Sequence, residues 1–150
     1  MSGVGLAITN LRIFQSFGTV VAIDRDHGML QKAKEEAGDL PDLEFKLVDA
    51  RHLGEFEKES FDYILALGLF AYFHMHEVDA VFSQFWRVCR QEGYLMLTNA
   101  TMHPKDAYIK SGLECGFELI RDKEGYCPAA SSKRRYLLVF AKRKEHSHPD

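Results

Sequence analysis

With 150 residues, 46% hydrophobic and 27% charged, the chain has the size of one domain and too much apolar content for a disordered one. No run approaches about 18 consecutive apolar residues, and Met1-Ser2-Gly3-Val4-Gly5 lacks the basic and apolar parts of a secretory leader, so neither a membrane-spanning helix nor a secretory signal is expected. A net charge of −3 gives no overall footprint for nucleic acid, and three widely spaced cysteines (Cys89, Cys115, Cys127) point to a reducing, cytoplasmic setting rather than a disulfide scaffold or structural zinc.

In chain order, Leu6, Ile8, Leu11, Ile13, Phe14 and Phe17 share a helical stripe, and Gly18 is the stop signal. The β-branched run Thr19–Ile23 predicts a buried strand ending at Asp24. Asp26 is placed to cap a helix over His27–Ala37 that Gly38 closes. A strand is expected at Leu43–Val48, ending at Asp49, then a polar loop over 51–60 with room for one helical turn. Phe61–Leu67 predicts a buried strand. Val78, Val81, Phe82, Phe85, Trp86 and Cys89 predict a helix over 77–91 that Gly93 stops. A strand follows at Tyr94–Thr98, and Pro104 in a first turn opens a helix toward Cys115. Strands at Phe117–Arg121 and Arg135–Ala141 enclose a loop over 122–134. The expected domain spans 1–141, and residues 142–150 form a charged, frayed tail.

Alternating helices and strands imply a mainly parallel sheet covered on both faces, and the final strand pair implies one antiparallel strand at an edge. Ligands of such sheets bind beyond the carboxyl ends of the strands. Ser2-Gly3-Val4-Gly5 reads as a glycine loop opening a helix, where backbone N–H groups and the helix dipole favour an anionic group; a disordered start is the plain alternative. Asp24, at a strand end about 20 residues further on, is placed to accept hydrogen bonds from both ribose hydroxyls; the alternative is a helix cap, which Asp26 could supply instead. Asp49, in Val48-Asp49-Ala50, sets a carboxylate beside a backbone N–H, an acceptor and donor matching the adenine edge, or is an ordinary loop carboxylate.

SGVG, VVAIDRDHGML, VDARHL, FDYILALGLFAYF and FWRVCRQEGYLMLT, in that order, resemble the motifs of class I S-adenosylmethionine-dependent methyltransferases over residues 2–141. The resemblance implies a Rossmann-like, doubly wound, mainly parallel α/β sheet with one antiparallel edge strand, and S-adenosyl-L-methionine as cofactor. It implies that Gly3 and Gly5 flank the methionine part and that Asp24 holds the ribose, with Arg25 and Met29 near the adenine. Asp49 and Ala50 would read the adenine edge, and Ala66 and Leu67 would line the methionyl end. The chain departs from the pattern by starting inside the glycine loop, so the domain is expected to be N-terminally truncated, without its first strand and that strand's acidic residue. The central slot between the strands ending at Asp24 and Leu67 is then expected to stay open, or to take a partner strand from another chain, with cofactor binding impaired.

Methyl transfer from a sulfonium needs nucleophile and methyl held in line, and a base only when the acceptor must lose a proton. Gly68-Leu69-Phe70-Ala71-Tyr72-Phe73 is not the Asn/Asp-Pro-Pro-aromatic motif, and no Pro-Cys nucleophile occurs there. A small-molecule acceptor is therefore expected rather than nucleic acid. His74, His76 and His103 are candidate bases or exposed loop histidines, and the sequence singles out no catalytic residue. His-x-His before Glu77 is a poor metal signal, so no metal is expected. Phe70, Tyr72 and Phe73 line an acceptor pocket or the core. Lys133, Arg134, Arg135, Lys142, Arg143 and Lys144 attract an anionic acceptor or RNA, or, as the plainer reading, protect a sheet edge. The other readings are a non-catalytic remnant or interaction module and a nicotinamide-dinucleotide domain; the final helix–strand–strand order argues against the latter.

Overall fold

The computed structural model describes residues 2–5, 19–38, 42–67, 73–98, 104–126 and 134–144. Its strands are β1 (Ser2–Gly5), β2 (Thr19–Asp24), β3 (Leu43–Leu47), β4 (Phe61–Leu67), β5 (Cys89–Thr98), β6 (Glu118–Tyr126) and β7 (Arg134–Ala141). The helices are α1 (His27–Ala37), α2 (Met75–Val88) and α3 (Lys105–Cys115). One seven-stranded sheet runs β3-β2-β1-β4-β5-β7-β6. β1, β2, β3, β4 and β5 pair in parallel, and β7 pairs antiparallel with both β5 and β6. One strand therefore opposes the rest, at the expected end of the sheet and one place in from its edge.

The expectation of an open or partner-filled slot is overturned. Residues 2–5 of this chain occupy it, with Val4 level with Val21 of β2 and Ile64 of β4. Left open, the slot would strand backbone donors and acceptors on both flanking strands, at about 1–3 kcal/mol for each buried group. Residues 2–5 pair with 19–22 of β2, and residues 3–5 with 63–65 of β4. Gly3 and Gly5 are thus strand residues, and the helix expected over 6–17 lies outside the described residues.

α1 forms as its punctuation predicts. The Asp26 carboxylate accepts from Met29 N–H at 3.1 Å, and Gly38, at φ 59°, ends the helix with its N–H on Lys34 O. Successive β2 residues face opposite sides. Val20 packs with Ala37 of α1, while Val21 and Ile23 join the cluster containing Val81, Phe82 and Phe85 of α2. Helices therefore cover both faces. α3 rides on β7 so closely that a Cβ at Gly112 would lie 2.5 Å from the Phe140 ring.

Several boundaries differ from expectation. α2 stops at Val88 and Cys89 begins β5, because the chain bulges there: Phe61 pairs with Cys89 but Tyr63 with Tyr94. Gly93 lies within that bulge instead of ending a helix, and a Cβ on it would fall 2.7 Å from Arg90 O and 2.8 Å from Asp62 O. β6 runs on to Tyr126 through residues expected as loop, since its charged outer positions belong to an exposed edge strand. Finally, Lys142 is buried (7% exposed) and does not begin a frayed tail. Its backbone N–H donates to Gly93 O and its carbonyl accepts from Glu92 N–H.

Candidate cofactor site

Parallel pairing brings the carboxyl ends of β3, β2, β1 and β4 to one rim of the sheet. Asp24 ends β2 level with Leu47 of β3, and its carbonyl accepts from Val48 N–H at 3.0 Å, which ties the two strand ends together. Its carboxylate accepts from Asp26 N–H at 2.8 Å. Because Asp26 caps α1, Asp24 is released from that duty and stands as a partly exposed strand-end acceptor.

Asp49 follows β3. Its carboxylate accepts from Arg51 N–H at 2.9 Å, from Arg51 Nε at 3.0 and 3.2 Å, and from Nη2 at 2.6 Å. Hydrogen bonding from the Arg51 guanidinium, opposed by desolvation, holds the Asp49 carboxyl below its ordinary value. Arg51 Nη1 also donates to Glu77 Oε2 at 2.6 Å, in the first turn of α2. The Glu77 carboxyl is likewise lowered, first by the hydrogen bond it accepts from the His74 N–H and then by Arg51. The buried Phe73 ring carries two guanidinium groups, Arg25 at 4.9 Å and Arg51 at 5.6 Å from its centroid.

Asp24, Arg25, Met29, Asp49 and Ala50 are thus gathered around the ends of β2 and β3. Met29 is 56% exposed despite its apolar chain, while Ala50 is buried. Ala66 is completely buried. Leu67 ends β4 opposite Thr98. Gly3 and Gly5 sit within the sheet: Gly5 is level with Ala22 and Leu65, so Asp24 and Leu67 reach beyond it. His74 and His76 are exposed with their rings stacked at 5.9 Å. His103, Phe70 and Tyr72 lie outside the described residues. Among the described residues no three His, Cys, Asp or Glu are grouped to hold a metal ion, and no helix is long and apolar enough to cross a membrane.

The sequence does not single out Arg51, and it offers Glu77 only beside the His-x-His metal signal. The Asp-x-Arg spacing was a usable signal for the first; Glu77 is remote in sequence and met only through the fold.

Strand order, the single opposed strand, and a carboxylate at the end of each of two adjacent parallel strands define a Rossmann-like nucleotide-cofactor domain of methyltransferase type. The family model described as "Methyltransferase domain" matches residues 2–97. The chain belongs to that family, within the class I S-adenosylmethionine-dependent methyltransferases. It is 33% identical over 100 residues to a phosphatidylethanolamine N-methyltransferase of Cereibacter sphaeroides, an alignment covering 65% of this chain and 47% of that protein. The chain thus matches about half the length of that relative. The fold is similar to that of a SAM-dependent methyltransferase from Methanosarcina mazei, with TM-score 0.79, 17% identity, and 96% and 93% of the two chains covered. It is equally similar to the N-methyltransferase NodS of Bradyrhizobium japonicum in complex with S-adenosylhomocysteine, with TM-score 0.79, 11% identity, and 95% and 78% covered.

Proposed function

We propose that this chain binds S-adenosylmethionine across the ends of β2 and β3 and transfers its methyl group to a small-molecule acceptor. The observation that carries the reading is the pair of carboxylates, Asp24 and Asp49, at the ends of adjacent parallel strands tied by the Val48 N–H to Asp24 O bond. In this reading Asp24 accepts from the ribose hydroxyls, Asp49 accepts from the adenine amino group, and Ala50 supplies backbone. Arg25 and the exposed Met29 flank the base. Gly3 and Gly5, as residues of β1, bring that strand's carboxyl end to the same rim, where they flank the methionine part of the cofactor. The cofactor supplies an activated methyl on a good leaving group, and the protein's part is to hold the acceptor in line with it. The relative's name makes an amine headgroup such as ethanolamine the first acceptor to test.

A second reading is a fold kept without turnover. Calorimetric titration with S-adenosylmethionine, S-adenosylhomocysteine and NAD separates the alternatives. The proposal expects both sulfur ligands to bind and NAD not to. Binding followed by methyl transfer to an amine distinguishes an enzyme from a remnant, and absence of binding overturns the proposal.

A further inference from the structure

Arg51 is held at more points than an exposed ion pair requires. Its Nε and Nη2 grip both oxygens of Asp49 side-on, its Nη1 donates to Glu77 Oε2, and its guanidinium lies by the Phe73 ring. These anchors come from the loop after β3, the first turn of α2 and a residue two places before that helix. Surface pairs ordinarily exchange partners and contribute little. Here Arg51, Asp49 and Glu77 side chains are only 31%, 20% and 16% exposed.

A carboxylate offers about four acceptor directions. Arg51 N–H and Nε fill those of Asp49 Oδ1, and Nη2, with a weaker share of Nε, takes one at Oδ2. One direction at Oδ2 is left over, on a carboxylate that cannot rotate without breaking the fork. An adenine amino group requires one acceptor of fixed direction. Glu77, by holding Nη1, keeps the guanidinium from swinging off Asp49.

We infer that Arg51, itself steadied by Glu77, is a positioning residue that fixes the Asp49 carboxylate so that it selects a base with an amino group at this position. The inference rests on the cofactor reading above and goes beyond it by assigning base selectivity to a residue pair that does not itself contact the base. A merely structural role for Arg51 would change affinity for all nucleoside ligands alike. The positioning role changes the preference between ligands.

The test titrates the full chain with S-adenosylhomocysteine and with its deaminated analogue, S-inosylhomocysteine, which presents an acceptor oxygen in place of the amino group. Wild type is expected to prefer the adenine form by on the order of tenfold or more, the usual effect of a hydrogen bond to a charged group. Arg51→Met should reduce that preference to roughly threefold or less, and Arg51→Lys, which keeps the charge without the planar fork, should not restore it. Glu77→Gln should give an intermediate preference, and it carries the test if Arg51→Met does not fold. Unchanged preference in a folded Arg51→Met, or in Glu77→Gln should Arg51→Met not fold, overturns this inference alone. Failure of wild type to bind either ligand overturns the methyltransferase reading and this inference with it.

Discussion

Lys142 donates its Nζ proton to Trp86 O at 2.7 Å while the same ammonium sits 4.5 Å from the centroid of the Trp86 ring. A further bond reaches Cys89 O at 3.0 Å, so a residue from beyond β7 closes the carboxyl end of α2, where helix carbonyls lack partners. Lys142→Met should keep the apolar stem but leave those carbonyls without their buried donor. A loss of about 2–3 kcal/mol in urea-induced unfolding is expected. A change within about 0.5 kcal/mol, the range of ordinary surface substitutions, would show that the ammonium is dispensable.

Val4 is paired on both sides in the middle of the sheet. Proline there removes a ladder donor and is poorly tolerated in a central strand. Val4→Pro should cost roughly 3 kcal/mol or more, with the midpoint of thermal unfolding as the measurement. An unaltered midpoint would mean that β1 contributes nothing to the sheet.

Gly93→Ala places a methyl against Arg90 O, Asp62 O and Cys89 Sγ, at 2.7, 2.8 and 2.9 Å. Two of these are backbone atoms, which cannot turn aside as a side chain would. Destabilisation of about 1–3 kcal/mol is expected from the overpacking, and chemical denaturation of the folded variant measures it.

Asp24→Ala should weaken S-adenosylhomocysteine by on the order of 1.5–3 kcal/mol by calorimetry, if this carboxylate holds the ribose. Asp26→Ala removes the cap of α1 instead, and should lower stability by about 1 kcal/mol with a smaller effect on binding. Equal effects of the two substitutions on affinity would argue against separate roles.

The Asp49 carboxyl is lowered in the folded protein from an ordinary value of 3.8, chiefly by the Arg51 guanidinium. A group with a depressed folded value stabilises the fold above its unfolded value and loses that contribution as pH falls through the folded one. Wild-type stability should therefore drop with acidification below about pH 4, partly through this group. Glu77, also lowered and neighboured by His74 and His76, adds to the same limb. In Asp49→Asn the acid limb should be shallower, as followed by thermal unfolding between about pH 2 and 6. A limb of unchanged steepness would remove Asp49 from the account.

Where local chemistry decides the structure, the sequence was readable. Asp26 and Gly38 bracket α1 because capping and a terminus at positive φ are properties of single residues. β2 and β4 carry dense apolar runs, and Asp24 and Asp49 were identified by following the strand ends. β1 was not readable: two glycines in Ser2-Gly3-Val4-Gly5 signal a loop, and only the unsatisfied edges of β2 and β4 draw those residues into a strand. The lower half of β6 was missed for a related reason, because an edge strand with charged residues lacks the apolar signature of a core strand. The Asp49–Arg51–Glu77 chain was half legible, since Arg51 is a near neighbour of Asp49 while Glu77 is brought to them by the placement of α2.

The position of β1 also governs the order in which the molecule can be completed. Gly3 pairs with Val20 on one side and with Tyr63 on the other. During synthesis the first of these partners follows soon after, but the second arrives only when β4 has been made. Until then β1 and β2 present an unfinished edge, and the segment that brings Tyr63 back to Gly3 contains β2, α1 and β3. Non-local pairing of this kind slows folding and leaves edges exposed to aggregation. β1 is thus fixed on its second side only after most of the Asp24 and Asp49 rim already exists, which makes closure of the sheet centre a late event in forming the cofactor site.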